Sequence, residues 1–456
     1  MGSPVARSLT RGWLDEEDAD MSSRQDRPRV TFVGAGSVVF TRQLIHDLLR
    51  MPDLPELDIA LHDIDLERLE TALAAAEQIR ARTGTSARIT GSLDRAESLN
   101  GADFVICMIQ VGGIAATRTD FEVPARFGLR QTIGDTIGVG GIFRGLRTFP
   151  VLSEIADDMR RWCPDAILLN YTNPMAMNLW WLQEQAPDIA SVGLCHSVYW
   201  TVHGLCELIG VPVDEVDYRA AGVNHQAWLL RWEHRGTDLY PRLRAVVDAD
   251  PELRRRVRVD VFRRFGYYPT ETSEHSSEYL PWYLREDAEI DRLRLPVGAY
   301  VGISEENVED YEDTRRRLQA GIDLELTEEV SEYAPQVIRA MLLGEQTTIH
   351  GNVRNTGLIS NLPDGAGVEV PCTVDALGVH PQVMGALPPQ CAALNRTFLN
   401  VAELTVAAAR EQRRDHVRQA MLLDPNCAAT LTVGQVDELL DAMVQAHGDL
   451  LPSWLR

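Results

Sequence analysis

A chain of 456 residues with 45% apolar and 24% charged side chains has an ordinary globular composition, and is long enough for one large domain or two coupled ones. Its formal net charge of −23 argues against nucleic acid and anionic membrane as partners, because both require a basic footprint. The seven cysteines are odd in number and form no CxxC pair, which disfavours a disulfide framework or zinc knuckle and favours reduced thiols in a cytoplasmic setting.

Residues 1–27 are polar and acidic, lack the apolar run of a signal peptide, and read as a flexible extension. From Arg29 the pattern changes. Arg29–Val33 is an apolar run ending in Gly34-Ala35-Gly36-Ser37, and Phe40–Arg50 follows with helical spacing. Leu57–Leu61 is a second apolar run closed by His62-Asp63, and Leu66–Arg82 reads as a helix. Short buried strands are expected at Ala87–Ile89, Phe104–Ile109, Ile167–Leu169 and Ser191–Leu194, with helices at Phe149–Trp162 and Met175–Glu184. This alternation predicts βαβ units, hence an α/β fold with a Rossmann-type parallel sheet over residues 28–210. Beyond Val211 the alternation stops. Antiparallel strands are expected in Tyr218–Trp232, helices over Asp250–Phe265 and Leu324–Leu343, sheet and turn in His350–Pro371, and helices over Asn395–Met421 and Val433–His447. Residues 211–456 thus read as a mixed α+β domain. No linker separates the halves, so a site is expected at their junction.

Four segments carry chemistry. Gly34 allows a tight turn after the first strand, and Gly36 lets the backbone approach a pyrophosphate at a helix N-terminus. The third fingerprint position is Val39, so the motif is incomplete, but Asp63 stands where an acid binds ribose hydroxyls and disfavours a 2′-phosphate. Cys195 ends a predicted strand, and with His225 would make a partial site for a divalent metal. Spacing alone favours the blander reading, an unrelated buried thiol and histidine. Asn173, before Pro174, is expected extended and could present its amide to sugar hydroxyls, although a plain strand-to-helix turn fits equally. Residues 128–147, GLRQTIGDTIGVGGIFRGLR, read as a glycine-rich loop, either closing over a ligand or simply exposed.

With GAGS, HDID, DTIGVGGIFRGLRT, NYTNPM, GLCHSV and AGVNHQAW in this order, the chain resembles glycoside hydrolase family four, NAD-dependent glycosidases of the lactate/malate dehydrogenase-like superfamily. The resemblance spans Arg29 to about His447. It implies NAD at Gly34, Gly36, Ser37, Asp63 and Asn170, and Mn²⁺ or another divalent metal at Cys195 and His225. It also implies substrate contacts from Asn173, Asn224 and Arg147. His196 in the CHSV form, and the SEHSSEYLPW segment, are similar to the α-galactosidase group. The implied chemistry is oxidation of a neutral α-hexoside at C3, loss of the C2 proton, elimination at C1, water addition and re-reduction. His196 is the candidate acid for the leaving oxygen. The C2 base falls among Glu274, His275 and Tyr279, with Tyr279 ranked first. The implied partner is a small α-glycoside, and the implied assembly a cytoplasmic homodimer or homotetramer. An α-glucosidase, an α-galacturonidase or glucuronidase of the same family, and a 2-hydroxy-acid dehydrogenase remain as alternatives.

Overall fold

The computed structural model describes residues 27–326 and 332–456. The extension expected over 1–27 therefore lies, except for Arg27, outside the described residues. Six strands form a parallel sheet: β1 Arg29–Val33, β2 Asp58–His62, β3 Arg88–Ser92, β4 Phe104–Cys107, β5 Ile167–Asn170 and β6 Ser191–Leu194. Their spatial order, β3-β2-β1-β4-β5-β6, reverses between β1 and β4, which is the dinucleotide-fold arrangement with its ligand crevice at the strand C-termini. Strand interiors such as Val30, Phe32 and Leu168 have no exposed surface, as expected of a sheet covered on both faces.

The second half continues the same sheet. β11 (Thr347–Arg354) pairs antiparallel with β6 through Gly351↔Leu194 and Asn352↔Gly193. β12 (Gly367–Asp375), β7 (Val216–Val223) and β8 (Gln226–His234) extend it further, all antiparallel. A single buried apolar cluster takes in Phe32 and Leu61 from the first half with Val370 and Phe398 from the second.

Four expected elements differ. The glycine-rich segment is not an exposed loop: from Gly138 it is the start of a 25-residue helix, Gly138–Trp162, and Val139 to Phe143 are buried. A side chain at Gly141 would strike the Thr136 backbone at 2.6 Å, so glycine lets this helix pack against its own leader. The helix expected over Asn395–Met421 is two, Pro389–Glu411 and Arg414–Leu423, broken where Gln412 turns left-handed (φ 54°). The stretch Asp250–Phe265 is helical only from Val257, because Arg256 is extended; a short 3₁₀ turn precedes it. Of Leu324–Leu343, Tyr333–Leu343 is helix, residues 324–326 are not, and 327–331 fall outside the described residues.

Arg147, expected at the substrate, is instead a structural tie. Its guanidinium forms a two-point ion pair with Asp120 (Nη1–Oδ1 3.1 Å, Nη2–Oδ2 2.6 Å), and Nε donates to the Val111 carbonyl. His447 Nε2 reaches Asp120 Oδ1 at 2.9 Å, so the C-terminal helix Val433–His447 is pinned to the first half. All three groups are buried. Arg147→Met leaves the buried Asp120 carboxylate with His447 but without its cation, and is expected to destabilise the protein by about 3–5 kcal/mol. Calorimetry should show a lower unfolding midpoint, and an unchanged midpoint would show that the tie contributes nothing.

Candidate active site

A cleft of about 370 Å³ opens at the C-terminal ends of β1, β4, β5 and β6, the edge where the strand order reverses. Ser37 follows β1, Met108 and Ile109 follow β4, Asn173 follows β5, and Cys195 and His196 follow β6. His225, Glu271 and His275 enter from the antiparallel half.

The turn after β1 is built for close approach. Gly34 has φ +90°, and a Cβ there would sit 3.0 Å from the Met108 carbonyl. A Cβ at Gly36 would meet Asp63 Oδ2 at 2.5 Å. Asp63 stands at the end of β2 and accepts N–H bonds from Gly36 (2.6 Å) and Asp65 (3.0 Å), so it braces the turn. Helix Val38–Arg50 begins there with no side-chain cap from Ser37, which leaves its first N–H groups to an anion. These features fit a dinucleotide. Asn170 does not reach the cleft: wholly buried, it donates to the Thr172 carbonyl at 3.1 Å and shapes the turn after β5.

His225 occupies a two-residue turn between β7 and β8 at φ 65°, a left-handed conformation that disfavours a side chain. Its Nδ1 lies 2.8 Å from Thr136 Oγ1, and Thr136 donates its only proton to Asp135 Oδ1 at 2.7 Å. The Thr136 oxygen must therefore accept Nδ1–H, which leaves Nε2 with its lone pair free. Asp135 Oδ2 accepts from Asn173 Nδ2 at 2.9 Å, so the amide proposed for sugar hydroxyls also anchors this relay.

Two donor sets share His225, namely Cys195–His225–Glu271 and Asp135–His225–His275, each with its ligand atoms within 4.8 Å of one another. A thiol, an imidazole and a carboxylate make a chemically suitable set for a borderline divalent cation. Burial pushes the Cys195 thiol up to about 12, helped by Glu271 and Glu369, so a bound cation would be what makes it a thiolate.

The remaining charges sort into roles. Burial would lower the His196 imidazole, but Glu332, whose Oε1 is 3.0 Å from Nδ1, raises it to about 9. Burial would raise both Asp135 and Glu271. For Asp135 the neighbouring His275, His225 and Arg144 outweigh it and hold the carboxyl well below its usual range. For Glu271 the neighbouring His275, His225, His196 and Arg258 also outweigh it and lower the carboxyl. Both acids are therefore ionised at neutral pH, and the proton-bearing group in the cleft is His196.

The site residues expected from sequence divide accordingly. Ser37, Asn173, Cys195, His196, His225 and His275 line the cleft, while Gly34, Gly36 and Asp63 form and brace the turn that carries Ser37. Tyr279 does not: it is 1% exposed, packs edge-on against Phe398, and its phenol is raised well above the ordinary value by burial. Glu274 and Asn224 also do not line the cleft, and Asn224 has no exposed surface. In place of Arg147, Arg144 lines it, one helical turn earlier, with Nη1 3.2 Å from the Tyr300 hydroxyl. Asp135, Thr136, Arg144, Glu271, Tyr300 and Glu332 were missed. The spacing of Arg144 and Arg147 was the available signal for one of them.

Beneath the cleft, the buried Glu278 carboxylate accepts backbone N–H bonds from Thr132, Ile133 (2.9 Å) and Gly134 (3.0 Å), pulling residues 132–136 against helix Ser273–Glu278. Burial pushes this carboxyl up to about 7, against those donors.

Residues 29–211 match the family model described as "Family 4 glycosyl hydrolase", and residues 220–427 that of its C-terminal domain. The chain is 41% identical over 431 residues to an α-galactosidase of Bacillus subtilis, covering 93% of this chain and 99% of that one. It is 35% identical over 439 residues to an α-galactosidase of Rhizobium meliloti, covering 93% and 89%. Its fold also matches a crystal structure of a 6-phospho-α-glucosidase from gut microorganisms in complex with NAD and Mn²⁺, with a TM-score of 0.80, 22% identity, and 93% and 99% coverage.

The relay through Thr136 is testable. Thr136→Val removes the acceptor for Nδ1–H and should weaken divalent-metal affinity roughly 10–100-fold, the usual effect of losing such an outer partner. Thr136→Ser should restore it. Equal affinities in isothermal titration of all three proteins would rule the relay out.

Proposed function

The chain belongs to the family 4 glycosyl hydrolases, and from that premise we propose that it hydrolyses α-galactosides by NAD-assisted oxidation, elimination, water addition and re-reduction. The observation that carries this reading is the meeting of Ser37, at the end of the Gly34–Gly36 turn, with Cys195 and His225 in one cleft, together with the two α-galactosidase relatives. Both cleft carboxyls, Asp135 and Glu271, are held ionised, so the site lacks the protonated acid that direct displacement between two carboxyls needs.

NAD at Gly34, Gly36, Ser37 and Asp63 would supply reversible hydride acceptance at C3, and a divalent cation such as Mn²⁺ at Cys195 and His225 would supply Lewis acidity. His196, kept protonated by Glu332, delivers a proton to the leaving oxygen. Removal of the C2 proton falls to His275, because of the three candidate bases it alone lines the cleft. Asn173 orients sugar hydroxyls while it holds Asp135. The dehydrogenase alternative gives no role to Cys195.

A second reading, α-galacturonide as substrate, is favoured by one observation: Arg144 puts a guanidinium into the cleft wall, where it would match a sugar carboxylate. All seven cysteines are free and six are buried, which supports a reducing, cytoplasmic setting. No helix among the described residues is long and apolar enough to cross a membrane. Exposed Leu377 and Val383, at the β12–β13 (Gly378–Pro381) hairpin, support self-association as a homodimer or homotetramer.

A panel of nitrophenyl α-galactoside, α-glucoside, α-galacturonide and β-galactoside, with NAD⁺, Mn²⁺ and a thiol, tests the proposal. The α-galactoside should be cleaved fastest, without net NADH, and in D₂O the released sugar should carry deuterium at C2. Preference for the galacturonide would select the second reading, and stoichiometric NADH would defeat the closed redox cycle.

A further inference from the structure

The thiol and imidazole of the cleft leave open what else the protein offers to the cation, and the answer lies in how His225 is held. Its Nδ1 is committed to Thr136, so only Nε2 can bind. That nitrogen faces Glu271 Oε2 at 3.6 Å, too far for a hydrogen bond, and both atoms present lone pairs. Two acceptors turned toward each other on side chains only 5% and 16% exposed are reconciled by a cation between them. The separation fits as well. Ligand atoms at about 2.0–2.3 Å from one ion stand about 3.0–3.8 Å apart along an edge of its coordination shell. Cys195 Sγ completes a triangle with these two atoms, all within 4.8 Å.

In the rival set both Asp135 oxygens already accept a hydrogen bond. Asp135 spends Oδ2 on Asn173 and Oδ1 on Thr136, and it orients His225 from behind rather than sharing its free nitrogen. We infer that Glu271 is a third protein ligand, so that the divalent cation is held by Cys195, His225 and Glu271 with further positions left for substrate oxygens; this rests on the metal-dependent reading above. A thiolate and a carboxylate together neutralise a dication, which suits a cleft of limited exposure. Glu271 comes from the strand-to-helix connection after β10 (Tyr268–Pro269) and holds a left-handed backbone at φ 74°, as His225 does at φ 65°.

The test is Mn²⁺ binding to the full-length protein with NAD⁺ and without substrate, read from the electron paramagnetic resonance signal of free Mn²⁺. Wild type, Glu271→Gln, Glu271→Asp and Cys195→Ser are compared after circular dichroism has shown that each is folded. Glu271→Gln should bind Mn²⁺ roughly tenfold or more weakly, and Glu271→Asp, which keeps a carboxylate, should recover part of the loss. In the Co²⁺-loaded protein, Glu271→Gln should shift the d–d bands while thiolate-to-cobalt charge transfer persists. If Glu271→Gln binds within twofold of wild type while Cys195→Ser loses binding, the third ligand is refuted and the Cys195–His225 reading stands. Wild-type protein that binds no Mn²⁺, or binds it independently of Cys195, overturns both.

Discussion

Glu278 lies beneath the glycine-rich segment and accepts the backbone N–H groups of Thr132, Ile133 and Gly134. Hydrogen bonds of this kind contribute about 0.5–1.5 kcal/mol each, and they act on the residues immediately before Asp135 and Thr136. From there the order is passed outward. Asp135 holds Asn173 and the Thr136 hydroxyl, Thr136 fixes the tautomer of His225, and His225 turns Nε2 toward Cys195 and Glu271. A cleft assembled from distant segments of chain thus hangs on one carboxylate that never reaches its surface.

The electrostatics follow the same division. In a molecule of net charge −23, the cleft gathers His196, His225, His275 and Arg144 around Asp135 and Glu271. Local partners, not the overall charge, decide which groups carry protons there. The Glu332–His196 pair is separated from the Asp135–His275 side, so a proton donor and a proton acceptor coexist in a cleft of about 370 Å³.

Much of this was legible in the sequence because it is local. The β1 turn, the strand ends bearing Asn173, Cys195 and His196, and the alternation of strand and helix all show in short windows. The antiparallel hairpin over Tyr218–Trp232 was legible for the same reason. The misreadings share a cause in long-range contacts. Glycines at 140 and 141 look like loop composition until their packing against Gly134 and Thr136 is seen. Arg144 and Arg147 have the same local appearance, and only the position of Asp120 separates a cleft residue from a structural tie. Tyr279 and Glu278 are neighbours in a suggestive motif, yet one packs on Phe398 and the other binds backbone 144–146 positions away. Nothing in the composition around Glu271 marks it, since its importance comes from facing His225.

The junction of β6 with β11 bears on how ligands come and go. Because the hydrogen-bonded path runs unbroken from the parallel strands into the antiparallel ones, the two halves cannot swing apart like jaws without tearing backbone bonds at Gly351 and Asn352. Traffic into the cleft must pass over its rim, where Tyr300 and Ile303 sit on the polar helix Ala299–Gln319, packed from outside rather than woven into the sheet. The mouth of the cleft is therefore bounded on this side by one surface helix rather than by a second body.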